Sequence, residues 1–125
     1  MDLIVSRCLL GERCRYDGGA RPSACVAALC EAVRGASGHV VGVCPETDGG
    51  LGCPRPPAEI RGDRVVTVGG TDVTRAYERG VAAALDRARE CSAPLAVLKA
   101  KSPACGHGLV YDGSFTGRLV SGSGL

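Results

Sequence analysis

Three times along this chain, a short hydrophobic run is followed closely by a cysteine, and this repetition constrains the fold more than any other feature. The runs are residues 3–6 before Cys8, residues 40–43 before Cys44, and residues 95–98 before Cys105. Short aliphatic runs rich in β-branched residues are typical of buried strands. Pro45 has no N–H for a strand hydrogen bond, so the second strand is expected to end there. If the three strands are parallel neighbours, their cysteines meet at the carboxyl edge of the sheet, where open α/β sheets bind ligands.

Amphipathic segments between these runs predict two helices. Ser23 is expected to cap the first helix, which ends by Gly35 or Gly38. Its apolar stripe is predicted to comprise Val26, Leu29, Cys30 and Val33. The second helix is expected to run from Thr71 or Asp72 to about Cys91, with Tyr77, Val81, Ala84, Leu85 and Ala88 on its buried face. Gly80 inside this helix costs about 1 kcal/mol relative to Ala, which a close approach to the sheet would explain.

The order of these elements predicts the fold class. Helices between strands imply right-handed crossovers and hence parallel strands. Residues 61–64 predict a hairpin turn into the strand 65–68, and a second hairpin is expected to turn at Asp112-Gly113. A chain of 125 residues is long enough for one hydrophobic core. We therefore predict a single α/β domain over residues 1–125, with a mostly parallel, Rossmann-like sheet, flanking helices and small hairpin excursions.

The composition of the chain excludes some classes of function. The net charge is +2 and aromatic residues make up 3% of the chain, which argues against a dedicated nucleic-acid binder. No hydrophobic run approaches the ~20 residues of a membrane span, so we expect no membrane association. The start of the sequence lacks the layout of a signal peptide, and we expect a cytoplasmic protein with reduced thiols. The oligomeric state does not follow from the sequence.

The eight cysteines favour a metal or catalytic site over disulfides in a reducing compartment. None of them forms a Cys-x-x-Cys pair, so a metal site has to be assembled from distant segments. Cys8, Cys44 and Cys105 form the candidate set. Three interpretations are open. The cysteines hold an iron–sulfur cluster with one iron free of protein ligands, they form a closed zinc site completed by His107, or they are simply small buried residues without a metal. The remaining thiols are expected not to be ligands: Cys25, Cys30 and Cys91 in helices, and Cys14 and Cys53 in loops.

Four polar residues are candidates for a site beside these thiols. Glu46 lies two residues beyond Cys44 and is either a general acid–base or a solvated loop acid. Ser102, close before Cys105, either donates a hydrogen bond into the pocket or caps a turn. Arg55 stands between prolines and suits an anion contact or a structural salt bridge. Asp17 is more often a turn residue than a ligand.

The chain resembles a known family in motifs spread over nearly its whole length. The motifs are Ser6-Arg7-Cys8-Leu9-Leu10-Gly11, Cys14-Arg15-Tyr16-Asp17-Gly18, Val43-Cys44-Pro45-Glu46, residues 54–60, Asp72-Val73-Thr74, residues 99–106 and Tyr111-Asp112-Gly113. They resemble the thiouracil desulfidase (TudS-like) domain family. Cys53 departs from the expected pattern, and the family pattern usually continues past Leu125 into a further helical segment, which we expect this chain to lack.

The resemblance implies a function and a site. It implies a 4Fe–4S cluster held by Cys8, Cys44 and Cys105, with Glu46 and Ser102 as catalytic residues and Arg55 and Asp17 as candidates for substrate binding. Family members hydrolyse C=S to C=O in thiolated pyrimidines without net redox change, with the sulfur bound at the open iron. The substrate stays open between a free base, a nucleoside and a thiolated tRNA. The alternative from the residues alone is a structural Cys₃His zinc scaffold or partner-binding module without catalysis.

Overall fold

The computed structural model of the chain describes residues 1–91 and 93–124. Strands and helices alternate along residues 3–48, one hairpin then precedes the longest helix, and a second hairpin ends the fold. The strands are β1 (Leu3–Ser6), β2 (Val40–Val43), β3 (Ala58–Arg61), β4 (Arg64–Thr67), β5 (Leu95–Val97), β6 (Leu109–Tyr111) and β7 (Leu119–Ser121). The helices are α1 (Ala24–Gly35), α2 (Pro45–Asp48) and α3 (Thr74–Cys91), and a 3-10 turn spans Arg7–Leu10.

The three strands that precede the candidate cysteines form one parallel sheet in the order β2-β1-β5. β1 is central, with Leu3 opposite Val40 on one side and Leu95 on the other. Leu3 and Val5 are fully buried, and α1 packs on them. The predicted mixed α/β fold with a parallel sheet is thus confirmed. The Rossmann-like description stays a prediction, because three strands form this sheet within the residues that the structure describes.

Both predicted hairpins are present. β3 pairs antiparallel with β4 around Gly62, whose φ of +65° needs a glycine. β6 pairs antiparallel with β7. This second turn is longer than the expected two residues, because residues 112–118 all lie between the two strands. Its backbone is fixed from outside the hairpin, since Glu59 Oε1 accepts a hydrogen bond from the Gly113 N–H at 3.0 Å.

Both helices begin as their sequences indicate. Ser23 Oγ accepts the Val26 N–H at 3.3 Å, and Asp72 Oδ1 accepts the Thr74 N–H at 2.9 Å. The predicted buried face of each helix was wrong at one position. Leu29 of α1 is 38% exposed, and Leu85 of α3 is 50% exposed. Leu85 borders an open apolar cavity of about 290 Å³, so no described element covers it fully. No helix in the described ranges is long and apolar enough to cross a membrane.

The close approach expected at Gly80 is present, but its partner is α2 rather than the sheet. A Cβ atom on Gly80 would lie 1.6 Å from the Pro45 carbonyl oxygen. Gly49 mirrors this contact, since a Cβ there would lie 1.9 Å from the Ala76 carbonyl oxygen. The two glycines let the short helix α2 rest directly on the backbone of α3. This contact positions α2, which begins immediately after Cys44 and contains Glu46.

Candidate active site

The fold brings the three candidate cysteines to one pocket, which we call the thiol pocket. Cys8 follows β1 in the 3-10 turn, Cys44 follows β2 as the N-cap residue of α2, and Cys105 lies in the loop after β5. All three line the thiol pocket, together with Glu46 and Ser102. The convergence results from parallel pairing, which places the carboxyl ends of the strands at the same edge. Five residues selected from the sequence thus meet in space.

Two thiols in this pocket, those of Cys8 and Cys105, are weaker acids than an ordinary cysteine thiol. Burial, and then the proximity of Cys44, raise the pKa of Cys8. Burial raises the pKa of Cys105 to about 11. Both thiols therefore keep their protons at neutral pH until a metal binds, and metal binding has to release them.

Cys14 also lines the thiol pocket, which the sequence reasoning missed. It is 5% exposed and packs with Cys8 and Cys44. The chain folds back after Cys8 because Gly11 adopts a left-handed conformation with φ +98°. The Cys8 carbonyl then accepts a hydrogen bond from Arg21 N at 2.9 Å. Cys14 lies six positions after Cys8, and this spacing is not typical of a metal site. In the sequence, only the turn expected at Gly11 indicated that Cys14 lies close to Cys8.

Cys53 has a separate, structural position. Its thiol donates to the carbonyl oxygens of Arg13 at 3.1 Å and Arg15 at 3.2 Å. The thiol that departs from the expected pattern thereby ties the loop around residues 51–57 to the loop that carries Cys14. Cys53 is exposed and does not line the thiol pocket.

Two side chains hold the carboxylate of Glu46. The Tyr77 hydroxyl donates to Oε1 at 2.5 Å, and Arg55 Nη2 donates to Oε2. Arg55 also donates to the carbonyl oxygens of Cys14 at 3.0 Å and Gly52 at 3.1 Å. Burial disfavours the charged guanidinium, but the adjacent Glu46 carboxylate outweighs this and the pKa of Arg55 is raised. The Arg55 side chain is 6% exposed, an arrangement that matches the structural salt bridge among its two predicted roles.

Ser102 caps the turn that presents Cys105. Its Oγ accepts hydrogen bonds from Ala104 N and Cys105 N, both at 3.2 Å. A serine hydroxyl can accept these bonds and still donate its own proton. Ser102 lines both the thiol pocket and the cavity next to it, so a donated hydrogen bond is available to a ligand that spans the two.

This neighbouring cavity, the basic cavity, has a volume of about 490 Å³ and carries four cationic side chains. They are Arg15, Arg21, Lys99 and Lys101. Arg15 and Lys99 also line the thiol pocket, so the two spaces adjoin. Burial, and then the charge of Arg15, lower the pKa of Lys99. Asp17 lines neither space; it accepts the Gly19 N–H at 2.9 Å in a turn.

The donor set fits an iron–sulfur cluster. Iron–sulfur clusters are held by cysteine thiolates, and Cys8, Cys44 and Cys105 all line one pocket. Within residues 1–91 and 93–124, no group of three or more His, Cys, Asp or Glu side chains is arranged to hold a metal ion. His107, which the zinc alternative needs as its fourth ligand, is exposed and does not line the thiol pocket.

Comparison with known proteins decides the family. The model of the 2-thiouracil desulfurase family matches residues 3–125. The chain belongs to this family. A solved structure described as 4Fe-4S-dependent thiouracil desulfidase TudS is similar to it with a TM-score of 0.88 and 42% identity, over 98% of this chain and 80% of the other. The uncharacterized protein YbbK of Bacillus subtilis (strain 168) is 38% identical over 133 residues, which cover 98% of this chain and 85% of the relative.

Proposed function

We propose that this chain hydrolyses the C=S group of a thiolated pyrimidine to C=O, using a 4Fe–4S cluster held by Cys8, Cys44 and Cys105. The observation that carries the proposal is the meeting of these thiols with Glu46 and Ser102 in the thiol pocket. Membership of the 2-thiouracil desulfurase family supports an enzyme that acts on a carbon–sulfur bond. The similarity to a structure described as a 4Fe-4S-dependent thiouracil desulfidase supports the cofactor. We propose the cytoplasm as its location, where cysteine thiols stay reduced and can bind a metal cluster.

When bound, the cluster supplies an iron without a protein ligand, which acts as a Lewis acid towards the substrate sulfur. Glu46 takes a proton from the attacking water as the C–O bond forms. It gives this proton to the sulfur, and as the C–S bond breaks it takes the second proton from the new C–OH group and passes it to the departing sulfide, so that water and thiocarbonyl give carbonyl and hydrogen sulfide with no change of oxidation state. The Ser102 hydroxyl orients the substrate by donating a hydrogen bond. A positioned acid–base of this kind contributes about 10²–10⁴-fold to a rate.

The basic cavity supports a substrate that carries an anionic substituent, such as the phosphate of a thiolated nucleotide. Four cations surround a space of about 490 Å³ that adjoins the thiol pocket. Glu59 also lines it, but its carboxylate already accepts hydrogen bonds from Gly113 N and Phe115 N. The overall charge of +2 and the scarcity of aromatic residues argue against a thiolated tRNA as the main substrate.

Substrate choice is tested by comparing kcat/KM for thiouracil, thiouridine, thiouridine 5′-monophosphate and thiolated tRNA. We expect the monophosphate to be best. In an Arg21→Glu variant, KM should rise for the monophosphate and change little for thiouracil. Equal kcat/KM for all the small substrates, with no effect of Arg21→Glu, would show that the basic cavity does not bind a phosphate.

The catalytic assignment is tested with Glu46→Gln, which keeps the shape of the side chain and removes the titrating group. We expect wild-type iron content and a kcat lower by about 10²–10⁴-fold. Ser102→Ala should cost less. Glu90→Gln, at an exposed glutamate of α3 outside the thiol pocket, is the matched control and should retain wild-type kcat. Wild-type turnover by the Glu46→Gln protein would remove Glu46 from the mechanism.

A further inference from the structure

We propose that Tyr77 is a positioning residue, whose hydroxyl fixes the orientation of the Glu46 carboxylate for proton transfer. The inference rests on the proposed catalytic role of Glu46. Tyr77 is on α3 and is 2% exposed. Its hydroxyl donates to Glu46 Oε1 at 2.5 Å, while Arg55 donates to Oε2. Each carboxylate oxygen therefore has one donor, and the two donors come from different parts of the chain.

Two donors are needed because α2 alone cannot orient the carboxylate. This helix has four residues, and the Glu46 side chain has three rotatable bonds. With a single donor, the carboxylate would remain free to rotate about the axis of that one hydrogen bond. Donors on both oxygens fix the plane of the group, and catalytic groups have to be held within about 0.5 Å and 10–20° of the productive geometry.

The position of Tyr77 relative to Glu46 is itself fixed. Tyr77 belongs to an 18-residue helix, and its ring packs in an apolar cluster with Val65 and Ala104. Gly80, three residues further along α3, lets the Pro45 backbone lie directly against the helix. Tyr77 and the residue that precedes Glu46 are thus held by one packed contact. Displacement of α2 from α3 would change the hydrogen bond between the Tyr77 hydroxyl and Glu46.

Packing does not account for the hydroxyl of Tyr77. A phenylalanine would fill the same apolar site, and a buried hydroxyl has to be given a partner or it costs stability. Burial, and then the charge of Glu46, raise the pKa of Tyr77, so the hydroxyl stays protonated and remains a donor. Tyr77 lines neither the thiol pocket nor the basic cavity, and its hydroxyl reaches the thiol pocket through the hydrogen bond to Glu46.

The test is the Tyr77→Phe variant of the reconstituted enzyme, with Thr74→Val as its matched control. Thr74 is a buried hydroxyl residue one turn earlier on α3, and its Oγ1 accepts the Val65 N–H at 2.8 Å without contacting Glu46. We expect Tyr77→Phe to keep wild-type iron content and KM, and to lower kcat by tenfold or more, towards the ~10²-fold that a misplacement of about 1 Å can cost. Thr74→Val should lose stability and keep wild-type kcat.

A double-mutant cycle with Glu46→Gln separates this proposal from the proposed function. If Tyr77 acts through Glu46, Tyr77→Phe should have no further effect on kcat in the Glu46→Gln protein. A full additional loss in that background overturns the positioning role, as does lost iron or unchanged kcat in the single Tyr77→Phe variant. Wild-type activity of Glu46→Gln alone overturns the proposed catalytic role of Glu46 itself.

A spectroscopic measurement on the cluster-free protein tests the hydrogen bond without activity. The near-ultraviolet difference spectrum between wild type and Tyr77→Phe isolates the absorption of this phenol. We expect the difference spectrum to shift when Glu46 is replaced with Ala, because the acceptor is lost. An unchanged spectrum would show that Tyr77 does not bind Glu46 and would overturn the proposal.

Discussion

Substituting Gly80 with Ala should move the helix that contains Glu46. The new Cβ atom would lie 1.6 Å from the Pro45 carbonyl oxygen, whereas ordinary van der Waals contact begins near 3.4 Å. α2 and α3 must therefore separate by about 1.8 Å at this point. The clash is with backbone atoms, and the Pro45 backbone cannot move away without moving its neighbours Cys44 and Glu46.

Two opposing effects set the change in stability. Alanine in a helix interior is favoured over glycine by about 1 kcal/mol. Overpacking of a close contact costs about 1–3 kcal/mol, and we expect the upper part of this range because both partners are backbone. The Gly80→Ala protein should therefore have a free energy of unfolding about 1–2 kcal/mol lower than wild type. A displacement of Glu46 by about 1 Å should also lower kcat, by up to ~10²-fold.

Urea denaturation followed by circular dichroism measures the free energy of unfolding, and steady-state turnover of thiouracil measures kcat. Gly35→Ala is the control, because Gly35 ends α1 and a Cβ there meets no atom within 4 Å. We expect Gly35→Ala to match or exceed wild-type stability and to keep wild-type kcat. If Gly80→Ala were stabilised by about 1 kcal/mol, as helix propensity alone predicts, the direct contact between α2 and α3 would be refuted.

Two further substitutions test contacts around the site. The Asp48 carboxylate accepts hydrogen bonds from the Cys44 N–H at 3.2 Å and from Arg7 Nη1 at 3.0 Å, and Asp48→Ala removes this acceptor. The free energy of unfolding, measured by urea denaturation, should fall by about 1–3 kcal/mol. An unchanged denaturation midpoint would contradict these bonds. Hydrogen bonds from Thr74, and then the hydrogen bond from Arg64, lower the pKa of Asp72 to about 2. The ionised Asp72 therefore stabilises the fold above pH ~4, and this stabilisation is lost as the pH falls towards 2. The stability gap between wild type and Asp72→Asn should therefore shrink over that range, and a constant gap would contradict it.

The features that sequence predicts well here are local or follow from strand order. The Ser23 cap, the Gly62 turn and the parallel sheet depend on short patterns and on chain connectivity. Parallel pairing then brings Cys8, Cys44 and Cys105 together, because each follows the carboxyl end of a strand. Their shared pocket could thus be expected before any side chain was placed.

The features that sequence did not predict depend on contacts between distant segments. Tyr77 has the same helical periodicity as a core residue, and nothing in its neighbourhood indicates that its hydroxyl reaches Glu46, 31 positions earlier. Cys14 sits in a glycine-bounded loop, whose path back to Cys8 depends on the Gly11 turn. Leu29 and Leu85 follow the helical period, but burial requires a covering element, which periodicity does not specify.

Cysteine-to-serine variants, each reconstituted without oxygen, test the central claim most directly through iron per chain and visible absorption. The claim predicts loss of iron in Cys8→Ser, Cys44→Ser and Cys105→Ser, and full iron in Cys25→Ser and Cys53→Ser. Cys14→Ser is the sharpest comparison, because Cys14 lines the same pocket and is predicted not to be a ligand. Brown wild-type protein with iron that depends on those three cysteines is the expected result. Full iron in the Cys44→Ser protein, or a colourless wild type that holds one zinc, would contradict the account.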